Sequence, residues 1–288
     1  MKKITDINLK DKRILIRVDF NVPLDESGRI ISNFRIRASL PTIKYCMSKG
    51  ASIILMSHLG RPDGCDNHRY SLKFLVDELE SLLNTEIFFS DDCISEESFK
   101  ISKDLLSNEI HLLENLRFYE EEKLNDASFS EKLAQHGDVY INDAFGTAHR
   151  KHASNVGILN YFDMAGIGFL CENELKYFQK KLSKPKKPYT VIMGGAKVLD
   201  KIELIESLME HADNFLIGGA MANPFLKVKG NNIGAAIVDN ENLETAKTLL
   251  EKAKNNNVNV VLPLDAIASD KVSADNDWTV SLINDLQN

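Results

Sequence analysis

The amino-acid sequence predicts an α/β protein built on parallel sheets and divided into two lobes. Three observations carry that prediction: short apolar runs rich in Ile, Val, Leu and Phe recur along the 288 residues, helical patterns separate several of them, and one lysine- and proline-rich stretch breaks the rhythm.

The runs are "RILIRVDF", "SIILMS", "EIFFS", "IHLLEN", "DVYIND", "YTVIMGG", "NFLIGGA" and "NVVLPLD". Each reads as a buried strand, because a parallel strand covered on both faces is apolar at consecutive positions. In "SLKFLVDELESLL", Leu72, Leu75, Val76, Leu79, Leu82 and Leu83 recur at the spacing of one helix face. Asp200 to Asp213 has the same rhythm, with Asp200 as a cap and Glu203 at the capping-box position. This alternation favours right-handed βαβ units and sheets covered on both faces. The break is "KKLSKPKKP", residues 180–188, whose five lysines and two prolines read as a solvated linker. No internal repeat or low-complexity region is present, and the segment after Asp270 shows no clear strand or helix.

Composition excludes several functions. With 35 basic against 42 acidic residues the net charge is −7, which argues against broad nucleic-acid or anionic-membrane binding, so an anion site must be local. No apolar run approaches the ~18 residues that span a bilayer, and no apolar segment follows the N-terminal lysines, so a cytoplasmic location is expected. Cys46, Cys65, Cys93 and Cys171 are scattered without metal-ligand spacing, which predicts reduced thiols.

The informative residues lie where strands end. In "RVDFNVP", Arg17, Asp19 and Asn21 alternate and so project to one side as the strand leaves its sheet. Taken alone, the motif reads equally as a structural ion pair followed by a turn. Other strand ends carry the same chemistry: "SHLGRP" delivers His58 and Arg61, "LLENLRF" delivers Arg117, and "INDAFGTAHRKHAS" delivers Asn142, Asp143, His149, Arg150 and His152. Arg35 precedes a helical segment. Ligands of open parallel sheets collect outside the carboxyl ends of the strands, so these residues are expected to form one basic crevice suited to a small phosphorylated carboxylic acid. In the second lobe, "YTVIMGGAKVLDKIELIESL" is a strand, paired glycines and a helix, the arrangement that offers backbone N–H groups to phosphate, with Lys197 and Lys201 adding charge. It matches neither the Walker A pattern nor G-x-G-x-x-G, and a tight strand-to-helix turn is the alternative. "LIGGAMANPF" repeats the strand-then-glycine pattern.

Together, "RVDFNVP", "FRIRASLPTIKY", "SHLGRP", "LLENLRFYEEE", "INDAFGTAHRKHAS", "GFLCENEL", "GGAKVLDKI" and "LIGGAMA" resemble the phosphoglycerate kinase family from near the start of the chain to about residue 275. The resemblance implies two Rossmann-like lobes with hinge closure between them: a phosphoglycerate-binding lobe at 1–168, a connecting helix and linker at 169–188, and a nucleotide-binding lobe at 189–288. It implies a phosphotransferase with a carboxyl group as acceptor, moving a phosphoryl group between 1,3-bisphosphoglycerate and ADP, or from ATP to 3-phosphoglycerate in reverse, with Mg2+ accompanying the nucleotide. Carried over by position, Arg17, Asp19, Phe20, Asn21, Arg35, His58, Leu59, Gly60, Arg61, Arg117 and Arg150 are expected at the phosphoglycerate site. Gly195, Lys201 and Gly219 are expected at the nucleotide, and Arg35 and Lys197 at the transferred group. The family's later segments, including the glycine-rich loop whose aspartate holds magnesium, are not recognisable here, and Ala220 and Asn223-Pro224 depart from its pattern. The second lobe is therefore expected to be incomplete, leaving apolar surface through which an otherwise monomeric protein would self-associate. A catalytically inactive 3-phosphoglycerate-binding relative is the alternative function.

Overall fold

The computed structural model of the protein describes residues 2–62, 68–182, 185–195, 202–236, 238, 242–268 and 278–285. The chain divides into two compact units, Met1–Lys176 and Tyr177–Asn288.

The first unit is an open parallel sheet. Its strands are β1 (Arg13–Val18), β2 (Ser52–Met56), β3 (Ile87–Ser90), β4 (Ile110–Leu113), β5 (Val139–Asp143) and β6 (Ala165–Ile167), in the order β3-β4-β2-β1-β5-β6. Every residue of β2 and β4 is buried, as the unbroken apolar runs require of strands covered on both faces. One face packs Ile14, Ile16, Ile53, Leu55 and Leu112 under the helix Phe34–Ser48; the other packs Leu15, Ile54, Met56 and Tyr140 against Phe129 and Leu133. After β1 the chain moves to one side of that strand, and for β5 it returns to the other. The carboxyl ends of β1 and β5 therefore flank a topological switch point, where a doubly wound sheet opens a crevice.

The predicted helix over 71–83 is divided. Leu72–Leu75 form a 3-10 turn capped by Ser71, which accepts from the Lys73 N–H, and the α-helix proper is Val76–Leu83. Arg35 lies within the first turn of Phe34–Ser48 instead of preceding it.

The second unit holds β7 (Thr190–Gly194), β8 (Asn214–Gly218) and β9 (Asn259–Val261) in a parallel sheet, and β10 (Asp265–Ala268) with β11 (Thr279–Leu282) in an antiparallel ribbon. "NVVLPLD" thus divides between two strands, and the stretch with no sequence signal supplies β11. The helices Ile202–Met209, Ala222–Val228 and Asn242–Asn255 contribute to one apolar cluster with Phe215 and Ile217. Covering of both faces does not hold among the described residues here: Ile192 is 78% exposed, and Leu264, Ile267, Trp278, Val280 and Leu282 are also exposed. Ile267 and Val280 are cross-strand partners in the ribbon, so at least these two exposed apolar side chains are neighbours. Asp200, the predicted helix cap, lies outside the described residues. No described helix is long and apolar enough to cross a membrane.

Away from the strand ends, the first unit buries two histidines on one serine. Ser102 Oγ lies 2.8 Å from His111 Nδ1 and 2.6 Å from His136 Nδ1; His111 Nε2 meets Ser90 Oγ at 3.0 Å, and His136 Nε2 meets the Cys93 carbonyl at 2.8 Å. Burial pushes His111 down to about 3, with His136 adding to the effect, and pushes His136 down to about 4. The unfolded rings take up protons near the ordinary value of about 6.5 that the native rings refuse, so each pair member costs stability as pH falls through that value, about 2 kcal/mol by pH 5. In the folded protein, NMR titration is expected to show both rings neutral from pH 7 down to pH 5; a midpoint near 6.5 for either refutes the arrangement.

Candidate functional site

The carboxyl ends of β1, β2, β4 and β5 bring together the polar residues singled out from the sequence. Asp19 follows β1, and its carboxylate pairs with the Arg35 guanidinium from the first turn of Phe34–Ser48. Asn21 Oδ1 accepts the Gly60 N–H at 2.8 Å, tying the loop after β1 to the loop after β2. Asn115, beyond β4, accepts from the Leu59 N–H at 3.2 Å and donates to the Leu59 carbonyl at 2.8 Å, while Arg117 donates to the Gly60 carbonyl at 2.5 Å. Backbone pairing thus gives way at the strand ends to side-chain bonds that hold three loops in register.

Gly60 has a reason to be glycine. Its φ is +61°, and a Cβ there would lie 2.2 Å from the Tyr70 ring, so both the left-handed backbone and the space exclude a side chain. The side chains of neighbouring Phe20 and Leu59, expected at the phosphoglycerate site, pack in the hydrophobic core, Phe20 on the side of the chain opposite Asp19. Their N–H groups are also taken, by Ser57 Oγ at 2.9 Å and by Asn115 Oδ1.

Arg17 behaves differently from the other arginines. It is 1% exposed and sits within β1, opposite Met56 and Asn142. Its Nε donates to Ser154 Oγ at 3.0 Å, one Nη to the Val18 carbonyl, and the other meets His58 Nδ1 at 3.1 Å. Burial pushes its pKa down, opposed first by the nearby Glu122 carboxylate. Three of its five N–H donors are thus engaged by the protein, and the guanidinium supports the crevice. Glu122, 1% exposed, is the residue the sequence reading missed. It accepts from Ser154 Oγ at 2.6 Å and from the Ser154 N–H at 2.9 Å. Burial raises the Glu122 pKa, but bonds from His152 and Ser154 and the charge of Arg17 outweigh it, and the net shift is downward, which keeps the group ionised.

His58 reports the field of the crevice. Burial takes its pKa down to about 2, and the charges of Arg17, Arg117, Arg150 and Arg35 add to the effect in that order. Burial likewise lowers Arg117, together with Arg150, Arg17 and Arg61. Five arginines, delivered by five separate segments, therefore act on this one cluster. Among the described residues Arg35 pairs with Asp19, Arg17 is balanced through Ser154 by Glu122, and no carboxylate forms an ion pair with Arg61, Arg117 or Arg150. An acidic protein thus carries a local excess of fixed positive charge at its switch point.

Asn142 and Asp143 serve the scaffold. Asp143 Oδ1 accepts the N–H groups of Leu170 and Cys171 at 2.9 and 3.2 Å, capping the helix Phe169–Leu182, while its buried Oδ2 meets no hydrogen-bond partner within normal geometry among the described residues; burial raises the carboxyl to about 6, opposed by Thr42 and by the Cys171 and Leu170 N–H groups. His149 is exposed beside Arg150.

In the second unit the two glycine turns lie side by side. Gly194 pairs with Gly218 at the ends of β7 and β8, and the Met221 N–H donates to the Gly195 carbonyl at 2.8 Å. Gly195 and Gly219 have φ of +148° and +65°. Among the described residues, a Cβ on Gly218 would meet nothing within 4 Å. Ala220 has no left-handed backbone to accommodate, and Pro224 falls in the first turn of Ala222–Val228, where a missing N–H costs no helical bond. Lys197 and Lys201 lie outside the described residues. Among the described residues no group of three or more His, Cys, Asp or Glu could hold a metal ion, so the residues described do not by themselves fit a magnesium site.

Fold and site define a doubly wound α/β protein with a basic crevice at its switch point. The phosphoglycerate kinase family model matches residues 4–288. Among proteins of known name, phosphoglycerate kinase of Finegoldia magna is 44% identical over 286 residues, which is 99% of this chain and 72% of that protein. The cytosolic phosphoglycerate kinase of Triticum aestivum is 46% identical over 270 residues, 94% of this chain and 67% of its own length. Solved phosphoglycerate kinases of Coxiella burnetii and Pyrococcus horikoshii superpose with TM-scores of 0.77 and 0.81 at 34% and 30% identity, over 99% and 100% of this chain and 72% of each of theirs. The chain belongs to the phosphoglycerate kinase family, and so to the phosphotransferases.

Gly60→Ala is expected to lower stability by about 1–3 kcal/mol, through strained backbone and displacement of Tyr70, and to loosen the Asn21 and Arg117 bonds. Urea unfolding checks it, and an unchanged midpoint contradicts this account of the loop.

Proposed function

We propose that this chain binds 3-phosphoglycerate or 1,3-bisphosphoglycerate in the crevice of the first unit and ADP or ATP at the glycine turns of the second, and transfers a phosphoryl group between them. The observation that carries the reading is the excess of guanidinium charge over carboxylate at the switch point. In the direction of ATP synthesis, an oxygen of the ADP β-phosphate attacks the acyl-phosphate phosphorus, a new P–O bond forms, and the bond to the acyl oxygen breaks. The substrate carboxylate leaves with the electron pair, so no general base is needed. In reverse the carboxylate is itself the nucleophile.

Such a reaction asks the protein for position and fixed charge, because charge spreads over the transferring oxygens. Arg35 is the group best placed to supply it from this unit. Its one ion-pair partner, Asp19, sits on the same rim, and the Arg35 side chain is about half exposed, so a phosphate can compete for it. Arg61, Arg117 and Arg150 suit bidentate contacts with the phosphate and carboxylate of the substrate. Arg17 and Asn21 hold the frame. On the nucleotide side Gly195 and Gly219 would line the phosphates, with Lys197 and Lys201, placed by the strand–glycine–helix pattern and by the resemblance, adding charge. Magnesium would arrive with the nucleotide, as is general for kinases of this family.

Arg35→Ala is expected to weaken 3-phosphoglycerate binding by about tenfold or more without unfolding the chain, since one charge-assisted bond to phosphate is worth about 1.5–3 kcal/mol. Isothermal titration measures it, with a coupled turnover assay alongside, and unchanged affinity removes Arg35 from the site.

A further inference from the structure

A single file of hydrogen bonds runs from Glu122 to His58, and its direction is fixed by what each group can do. Glu122 is ionised and only accepts. Ser154 has one hydroxyl proton; with its oxygen 2.6 Å from Glu122 Oε1, that proton goes to the carboxylate, and its lone pair receives Arg17 Nε–H at 3.0 Å. A guanidinium only donates, so His58 Nδ1, 3.1 Å from Arg17 Nη2, must be the unprotonated acceptor. A proton at Nδ1 would set one N–H against another inside a buried cluster. The ring proton therefore resides on Nε2, which no described protein group accepts, and it is the free donor of this histidine.

We propose that Glu122 is a positioning residue for the crevice: through the Ser154 hydroxyl and the Arg17 guanidinium it holds His58 as a neutral imidazole whose Nε2–H is the donor offered to the anionic ligand. Glu122 also anchors the segment that follows Arg150, since its backbone carbonyl accepts the Ala153 N–H at 2.9 Å and its side chain accepts the Ser154 N–H at 2.9 Å. One carboxylate thereby sets both the histidine tautomer and the place from which Arg150 reaches the crevice. The role is carried by a residue from the middle of an acidic run that touches no ligand itself.

This inference rests on the assignment of the crevice to phosphoglycerate, so its first test needs no ligand. Nitrogen-15 NMR of the ligand-free 288-residue chain is expected to show His58 in the Nε2–H tautomer and neutral from pH 7 to pH 5; an Nδ1–H tautomer or a cationic ring overturns the proposal. Glu122→Gln and Ser154→Ala are expected to mix the His58 tautomers and to weaken 3-phosphoglycerate binding by about tenfold, the scale of one lost bond to a charged group. Ser154→Ala keeps both buried charges and serves where Glu122→Gln unfolds. A single Nε2–H tautomer in folded Ser154→Ala, with affinity within about twofold of the parent, overturns the relay. Absence of phosphoglycerate binding by the parent chain defeats the substrate assignment instead, and the tautomer measurement still decides the relay.

Discussion

A guanidinium buried inside a parallel strand constrains everything around it. Arg17 occupies a position in β1 where the neighbouring strands contribute Met56 and Asn142, and water does not reach it. Its charge is tolerable there only because Glu122 lies close by, with Ser154 between them and with His58 and the Val18 carbonyl each meeting a further N–H group. Leaving either charge of such a pair alone costs about 3–5 kcal/mol, several times the worth of a surface ion pair. The short helix Glu120–Leu124, the loop through Ser154 and the end of β2 are thus held in place by the same requirement. Order at the floor of the crevice is part of the order of the fold.

Above that floor the charges are arranged differently. Arg61, Arg117 and Arg150 have no ion-pair partner among the described residues, and Arg35 shares one with the solvent. A binding site gains from this division. Fully satisfied groups below cannot swing to meet a ligand, while underused groups at the rim have most to gain from one. The loops are stitched by Asn21, Asn115 and Gly60, so that the rim arginines emerge from fixed positions without being consumed. The preorganisation that electrostatic stabilisation demands is thereby supplied by neutral amides.

Much of this was legible in the sequence, for reasons of period. The strands β1, β2, β4 and β5 announce themselves as unbroken apolar runs, and the polar residues that end them fall where a doubly wound sheet collects ligands. Motif membership says nothing about which way a side chain faces, and the side chains of Phe20 and Leu59, both expected at the phosphoglycerate site, lie in the core. Glu122 was invisible for another reason. Within "YEEEK" it looks like solvated charge, and only the return of the chain 32 residues later, at Ser154, gives it a partner. The histidine pair on Ser102 is likewise assembled from three segments with no local signature. In the second unit, β10 and β11 lack the apolar continuity that marks a covered strand, since their side chains are largely exposed.

The electrical character of the crevice follows from the same chemistry. Arginines remain charged at any pH a protein survives, and His58 is kept neutral by burial and by the arginines around it, down to about 2. Neither changes charge in the range where a phosphate monoester loses its second proton, near pH 6. Asp143, raised by burial to about 6, does titrate there, but its bonds go to the start of the helix Phe169–Leu182 and not to the rim. The arginines and His58 thus present an unchanging charge to the ligand over this range. The attraction grows as the phosphate gains its second charge, and the contributions of these arginines and of His58 to that pH dependence come from the ligand side of the contact.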